Sequence, residues 1–154
     1  MEVMDQSWPL EEVLPLLRRV SFFEGLRDED LERIAGIVQK VEAGEEEWIF
    51  KEGDEGDTFY IVYSGGVDLT VSRQSGAEDK LAFRRPGEPF GEMSLLDEAP
   101  RSAGARAREA TVLLRIGRSE FRNLLGDNPM AFRVLSSLSR ALRALDLRGN
   151  MEAG

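Results

Sequence analysis

The sequence predicts a mainly β fold, a jelly-roll-like β-roll (double-stranded β-helix) with α-helices flanking it at both ends. Short apolar segments with the two-residue period of strands recur between residues 39 and 117, and turns rich in glycine separate them. The helices that would join the strands of a parallel sheet are missing from this stretch of sequence. Apolar residues at helical spacing stand before and after it.

We interpret residues 1–154 as one domain, with a helical entry over 8–38, the β-roll over 39–117 and C-terminal helices over 118–148. No apolar run approaches the roughly 18 residues of a membrane-spanning helix. Residues 1–8 are acidic and lack the basic and then apolar pattern of a secretory signal. We therefore expect a cytoplasmic protein without a membrane partner.

The composition excludes several classes of function. The chain has no Cys and no His, which rules out disulfides, thiolate metal sites, Cys nucleophiles, Ser-His-Asp triads and His-rich metal sites. Carboxylate-only metal sites and paired catalytic carboxylates stay open, but the sequence sets up no convincing pair, so we expect no metal and no enzyme. The net charge of −9 disfavours nucleic-acid binding, which depends on neutralising phosphates.

The entry segment is predicted to form two helices. Trp8–Val20 carries apolar residues at helical spacing, and Pro15 is expected to break or kink it. The second helix is expected to begin with Asp28 as its N-cap. Its predicted buried stripe consists of Leu31, Ile34, Ala35 and Val38.

The strands of the predicted roll follow from Val41 onward. Thr58–Tyr63 and Val67–Ser72 are predicted strands, and apolar and polar residues alternate along the second. A further strand is expected over Lys80–Arg85. Two more should follow Arg101, with apolar faces formed by Ala103, Ala105 and Ala107 and by Val112, Leu114 and Ile116.

The turn Glu52–Asp57 is acidic and rich in glycine. Oxygen donors at alternate positions resemble those of a calcium loop, but the later glutamate and the flanking helices of an EF-hand are missing. We therefore favour a solvated turn over a metal site.

Two helices are predicted after the roll. The first spans Arg118–Leu125, and the second begins at Asn128-Pro129, because proline suits the first helical position. Four leucines of the second helix have the spacing of a coiled-coil seam: Leu135, Leu138, Leu142 and Leu145. Dimerisation through this seam and packing onto the chain's own β-roll both remain open.

The segment Phe90–Ala107 has the composition of an anion site. Gly91 and Glu92 lead into a short apolar turn, whose first amides and dipole suit a phosphate. Arg101 follows, and a guanidinium can grip phosphate with two N–H groups. The Glu92 carboxylate would repel phosphate, so we expect it to accept a hydrogen bond from a sugar hydroxyl. The inferred ligand has one phosphate and one free ribose hydroxyl.

The ordered set Gly91, Glu92, Leu95-Leu96 and Pro100–Ala103 resembles the phosphate-binding cassette of the cyclic nucleotide-binding domain family, which includes catabolite activator proteins and protein kinase A regulatory subunits. The resemblance covers roughly Phe22 to Asp146.

The resemblance implies a role for each cassette residue. Arg101 would neutralise the cyclic phosphate, the amides of Met93 and Ser94 would cap it, and Glu92 would accept from the ribose 2′-hydroxyl. The remaining residues implied at the phosphate and ribose are Gly91, Ser102, whose hydroxyl would add a contact, and Ala103. The implied base pocket consists of Leu69, Leu81 and Ala82, for which an ordinary core role is the alternative.

The function implied is reversible binding of a 3′,5′-cyclic nucleotide by a regulatory domain in signal transduction, with cyclic AMP as the favoured ligand and cyclic GMP as the alternative. Binding would move the C-terminal helices, which a second protomer or an unknown downstream protein would read. Family transcription factors continue with a helix-turn-helix that is missing here, so no nucleic-acid partner is expected. The alternatives are an interaction module of the same fold that binds no nucleotide and, less well supported, a carboxylate-based phosphodiesterase.

Overall fold

The computed structural model describes residues 2–4, 8–95 and 99–126. Their strands are β1 (Glu2–Met4), β2 (Gln39–Ala43), β3 (Trp48–Phe50), β4 (Thr58–Ser64), β5 (Val67–Ser72), β6 (Glu78–Arg84), β7 (Pro89–Phe90), β8 (Gly104–Ala107) and β9 (Thr111–Gly117). The α-helices are α1 (Leu10–Arg19), α2 (Asp28–Ala35) and α3 (Arg118–Leu125). Two 3₁₀ turns cover Ser21–Phe23 and Glu92–Leu95.

The strands form two antiparallel sheets. One sheet has the order β1-β2-β9-β4-β7, and the other has the order β3-β8-β5-β6. In the second sheet Leu69 lies opposite both Ala82 and Ala105, which fixes the register of β5 between its two neighbours. The prediction of a mainly β fold with flanking helices is confirmed.

Strand β9 separates two apolar cores. Leu114 and Ile116 are fully buried against the helices, in a cluster that includes Leu17 of α1 and Ile34 of α2. Leu113 points to the opposite face and is fully buried between the two sheets. The helices therefore cover one face of the first sheet, and the other face closes the roll.

The helical entry differs from the prediction in two places. Helix α1 passes through Pro15 without a break, because Pro15 lies on the exposed side and the carbonyl that loses its partner belongs to Glu11, which is also exposed. The N-cap of α2 is Arg27 rather than Asp28. The buried Asp30 accepts a hydrogen bond from the Arg27 amide at 3.0 Å, which closes the first turn from within the helix.

Strand β6 also differs from the prediction, since it begins at Glu78 rather than Lys80. Its pairing with β5 skips one residue, because Leu69 lies opposite Ala82 and the next residue, Thr70, lies opposite Lys80. Leu81 is the extra residue of a β-bulge, and it is 44% exposed.

The predicted last helix, with the seam Leu135, Leu138, Leu142 and Leu145, lies outside the described residues. Among the helices that the structure describes, none is long and apolar enough to cross a membrane.

Candidate functional site

The cassette begins where β7 ends. Phe90 is fully buried, and the chain then turns at Gly91, whose φ of 76° lies in the left-handed region that favours glycine. A Cβ at this position would also lie 2.8 Å from Nη1 of Arg101. Backbone conformation and space therefore both require glycine here.

Arg101 is buried, with 8% of its surface exposed. Its Nη2 donates to the carbonyl oxygen and the hydroxyl of Thr58 at 2.7 and 3.1 Å, and its Nη1 donates to the Gly91 carbonyl at 3.2 Å. The guanidinium carbon stands 4.1 Å from the centroid of the Phe50 ring. The Nε atom is buried and has no acceptor among the described residues.

Among the described residues, the charge of Arg101 is compensated without an ion pair. Burial lowers the pKa of Arg101 and Arg118 adds to this, while Tyr60, Asp57 and Asp54 oppose it. None of the ion pairs within the described part of the chain includes Arg101. A guanidinium stays protonated at ordinary pH, so this group is a buried cation held by carbonyls and an aromatic face. Such a group is suited to receive an anion.

The acidic turn that precedes β4 holds the backbone of Arg101. The Arg101 amide donates to the Asp54 carbonyl at 2.8 Å, and the Gly53 amide donates to the Arg101 carbonyl at 2.8 Å. This pairing brings Gly56 against the guanidinium, where a Cβ would lie 2.4 Å from Nε. Across the described residues, no group of three or more carboxylates is placed to hold a metal ion.

Ser94 shares its acceptors with Arg101. Its buried hydroxyl lies 2.8 Å from the carbonyls of both Thr58 and Gly91, and its amide donates to the Gly91 carbonyl at 3.3 Å. Ser94 and Arg101 thus converge on the same two carbonyls, which joins the 3₁₀ turn to the start of β4.

The other predicted phosphate and ribose residues lie around this centre. Glu92 is partly buried, and its Oε2 atom is buried from solvent. Met93 and Ser102 are exposed, whereas Ala103 is buried. Their contacts with a ligand remain predictions.

The three residues predicted for a base pocket do not share one environment. Leu69 is buried in the core between the sheets, and Ala82, directly opposite, packs partly against that core. Leu81 is exposed at the bulge. The structure therefore places Leu69 and Ala82 opposite each other, while Leu81, next to Ala82 in β6, stands exposed at the bulge.

Sequence reasoning missed three residues that shape the site, namely Phe50, Gly56 and Thr58. Gly56 belongs to the glycine-rich turn over Glu52–Asp57. The sequence predicted this turn, but it gave no sign that Gly56 lies against Arg101. Thr58 stands 43 residues before Arg101 and reaches it only through the fold.

Arg118, the first residue of α3, connects the helix to two loops of the site, the acidic turn before β4 and the 3₁₀ turn over Glu92–Leu95. Its Nη1 donates to the Ser94 carbonyl at 3.2 Å and to the Gly56 carbonyl at 3.4 Å, and its amide donates to the Asp57 carbonyl at 2.7 Å. A displacement of either loop would therefore bear directly on the start of α3.

A family model described as "Cyclic nucleotide-binding domain" matches residues 39–128 of the chain. The chain is 40% identical over 126 residues to the "Cyclic AMP receptor protein" of Thermus thermophilus, which covers 81% of this chain and 58% of that relative. The chain thus spans a little over half the length of this relative.

Two solved structures are similar. The N-terminal domain of a transcriptional regulator from Streptomyces coelicolor has a TM-score of 0.78 and 33% identity, covering 85% of this chain and 92% of that one. The regulatory domain of Toxoplasma gondii PKA, solved with cAMP, has a TM-score of 0.70 and 31% identity, covering 74% and 43% respectively.

Proposed function

The chain belongs to the cyclic nucleotide-binding domain family, and we propose that it binds a 3′,5′-cyclic nucleotide reversibly as a regulatory domain, without chemistry on the ligand. The observation that carries this proposal is the buried Arg101 guanidinium, which has no ion-pair partner among the described residues. Cyclic AMP is the favoured ligand, because the Thermus relative is named a cyclic AMP receptor and the Toxoplasma structure holds cAMP.

In this proposal Arg101 binds the cyclic phosphate. Its guanidinium has five N–H donors and makes three hydrogen bonds to Thr58 and Gly91, so donors remain for a phosphate. Glu92 accepts from the ribose 2′-hydroxyl, since a carboxylate beside a phosphate needs a hydroxyl donor. The amides of Met93 and Ser94, the Ser102 hydroxyl and the small residues Gly91 and Ala103 complete the proposed contacts.

The purine is proposed to lie near Leu69 and Ala82, with Leu81 reaching it from the bulge. Apolar walls with few polar groups discriminate weakly between adenine and guanine. The preference for cyclic AMP over cyclic GMP is therefore expected to be modest unless residues outside the described part contribute.

We further propose that the ligand acts on the C-terminal helices through Arg118. Because Arg118 contacts the Ser94 and Gly56 carbonyls, a shift of either loop on binding changes the placement of α3. The ligand can move this equilibrium only by its difference in affinity for the two placements. A second protomer, bound through the leucine seam of the last predicted helix, or an unknown downstream protein would then recognise the new placement of the helices.

Thermal unfolding of the full chain with cyclic AMP, cyclic GMP and 5′-AMP tests the proposal. A ligand at one hundred times its Kd stabilises the folded state by about 2.7 kcal/mol, which for a domain of this size corresponds to a rise in Tm of roughly 5–11 °C. We expect this rise with cyclic AMP and little with 5′-AMP, which lacks the cyclic phosphate. No rise with any cyclic nucleotide would refute the proposal and favour an interaction module. Release of 5′-AMP from cyclic AMP would instead reveal an enzyme.

A further inference from the structure

We propose that Phe50 is a positioning residue for Arg101, which holds the guanidinium ready for the ligand; this role rests on the proposed function. Phe50 stands at the end of β3, opposite Ala105 of β8, and β8 is the strand that follows Arg101. The guanidinium carbon lies 4.1 Å from the ring centroid, which is stacking distance. Ring and cation are thus brought together by two paired strands rather than by neighbouring positions in sequence.

The Phe50 ring is itself held in place by two other rings. Its centroid lies 6.1 Å from that of Tyr60 and 5.9 Å from that of Phe90. Tyr60 and Phe90 are paired across β4 and β7, and their rings stack at 5.3 Å with an interplanar angle of 15°. The three rings pack against one another, so a displacement of the Phe50 ring away from Arg101 would disturb its contacts with β4 and β7.

A ring compensates the buried charge in a way that a carboxylate cannot. A carboxylate accepts hydrogen bonds at the edge of a guanidinium and would occupy the donors that a phosphate requires. A ring below the plane attracts the cation through its π face and uses no N–H group. Phe50 can therefore stabilise Arg101 while leaving its donors available.

Two edges of the guanidinium are bounded by glycine backbone. A Cβ at Gly56 would lie 2.4 Å from Nε, and a Cβ at Gly91 would lie 2.8 Å from Nη1. One face is covered by Phe50, and two edges pass close to glycines. This arrangement restricts the side chain before binding, and a restricted group loses less entropy when the ligand arrives.

Titration calorimetry with cyclic AMP on the full chain tests the role of the ring. Phe50→Leu should weaken binding about fivefold to thirtyfold, the range expected when a largely desolvated cation–π contact is lost. Phe50→Tyr retains the π face and should bind within about threefold of the wild type. Phe83→Leu is the matched control, because Phe83 of β6, in the same sheet as Phe50, stacks at 3.8 Å against Arg108 rather than Arg101 and should leave affinity unchanged.

A double-mutant cycle separates positioning from general packing. If Phe50 acts through Arg101, Phe50→Leu should cost no further affinity in an Arg101→Met background. The same loss in both backgrounds would overturn the proposal, as would wild-type affinity for Phe50→Leu. Should Phe50→Leu fail to fold, Phe50→Met, which refills the space with a flexible apolar chain, replaces it in the same cycle. If the wild type binds no cyclic nucleotide, the proposed function is refuted and the role of Phe50 with it. If the wild type binds and substitution of Phe50 leaves the affinity unchanged, only the role of Phe50 is refuted.

Discussion

Replacing Arg101 by methionine removes the buried cation while retaining much of the side chain's volume. The phosphate would lose its charge-assisted hydrogen bonds, each worth about 1.5–3 kcal/mol. Loss of one such partner corresponds to a Kd increased about tenfold to 150-fold. Isothermal titration calorimetry with cyclic AMP on the full chain measures this change directly.

The same substitution should leave the protein folded when no ligand is present. Of the two carbonyls that accept from Arg101, the Thr58 carbonyl keeps the Ser94 hydroxyl as a donor at 2.8 Å, and the Gly91 carbonyl keeps the Ser94 amide at 3.3 Å. Burial lowers the pKa of Arg101, which means that desolvation disfavours its charged form. Removing that charge relieves this penalty. We expect the Tm without ligand to be unchanged or higher.

Arg18→Met is the control for this experiment. Arg18 pairs with Asp28 at 3.2 Å, but the two side chains are 47% and 67% exposed, and exposed pairs contribute little. Its affinity for cyclic AMP should equal that of the wild type. The reasoning is refuted if Arg101→Met binds as tightly as the wild type, or if it loses affinity only because it unfolds.

Three further substitutions test separate parts of the structure. Gly56→Ala places a Cβ 2.4 Å from Nε of Arg101 and should weaken cyclic AMP binding by about tenfold or more, because the guanidinium loses its position. Gly44→Ala is the control, since its nearest neighbour is 4.0 Å away and its affinity should be unchanged. Equal losses of affinity for the two variants in calorimetry would contradict the role of Gly56. Ser94→Ala removes a buried hydroxyl and should lower the free energy of unfolding by about 1–2 kcal/mol, which urea denaturation measures; an unchanged value would contradict the bonds to the two carbonyls. Pro15→Ala should raise that free energy by about 1–2 kcal/mol, because the helix penalty of about 3 kcal/mol is relieved and about 1 kcal/mol of unfolded-state restriction is lost; a less stable variant in the same denaturation would argue against an uninterrupted α1.

Local patterns predicted much of the fold. Val67–Ser72 and Arg118–Leu125 have the predicted bounds, because their apolar periods are complete within the segment. Pro15 was expected to break or kink α1, and the helix continues through it without a break. The rule for proline cannot weigh the packing of Val13 and Leu17 on either side of it. The bulge at Leu81 depends on how β6 pairs with β5, and nothing within β6 itself signals it.

The candidate site divides in the same way. The sequence pattern predicted that Gly91 and Arg101 belong to one cassette, and in the structure Nη1 of Arg101 donates to the Gly91 carbonyl at 3.2 Å. Thr58, Gly56 and Phe50 contact Arg101 from a loop and strands far earlier in the chain. These contacts follow from strand pairing and from the turn before β4, so a reading of the cassette alone could not predict them.

The most direct test of the central claim observes the Arg101 side chain itself. Its Nε–H has no acceptor among the described residues, and its ¹H–¹⁵N resonance can be assigned by its absence from the spectrum of Arg101→Lys. On titration with cyclic AMP we expect the chemical shift of this resonance to change in proportion to the bound fraction, because the bound phosphate changes the environment of the guanidinium. A spectrum in which backbone amides respond to cyclic AMP while this resonance stays fixed would contradict the account.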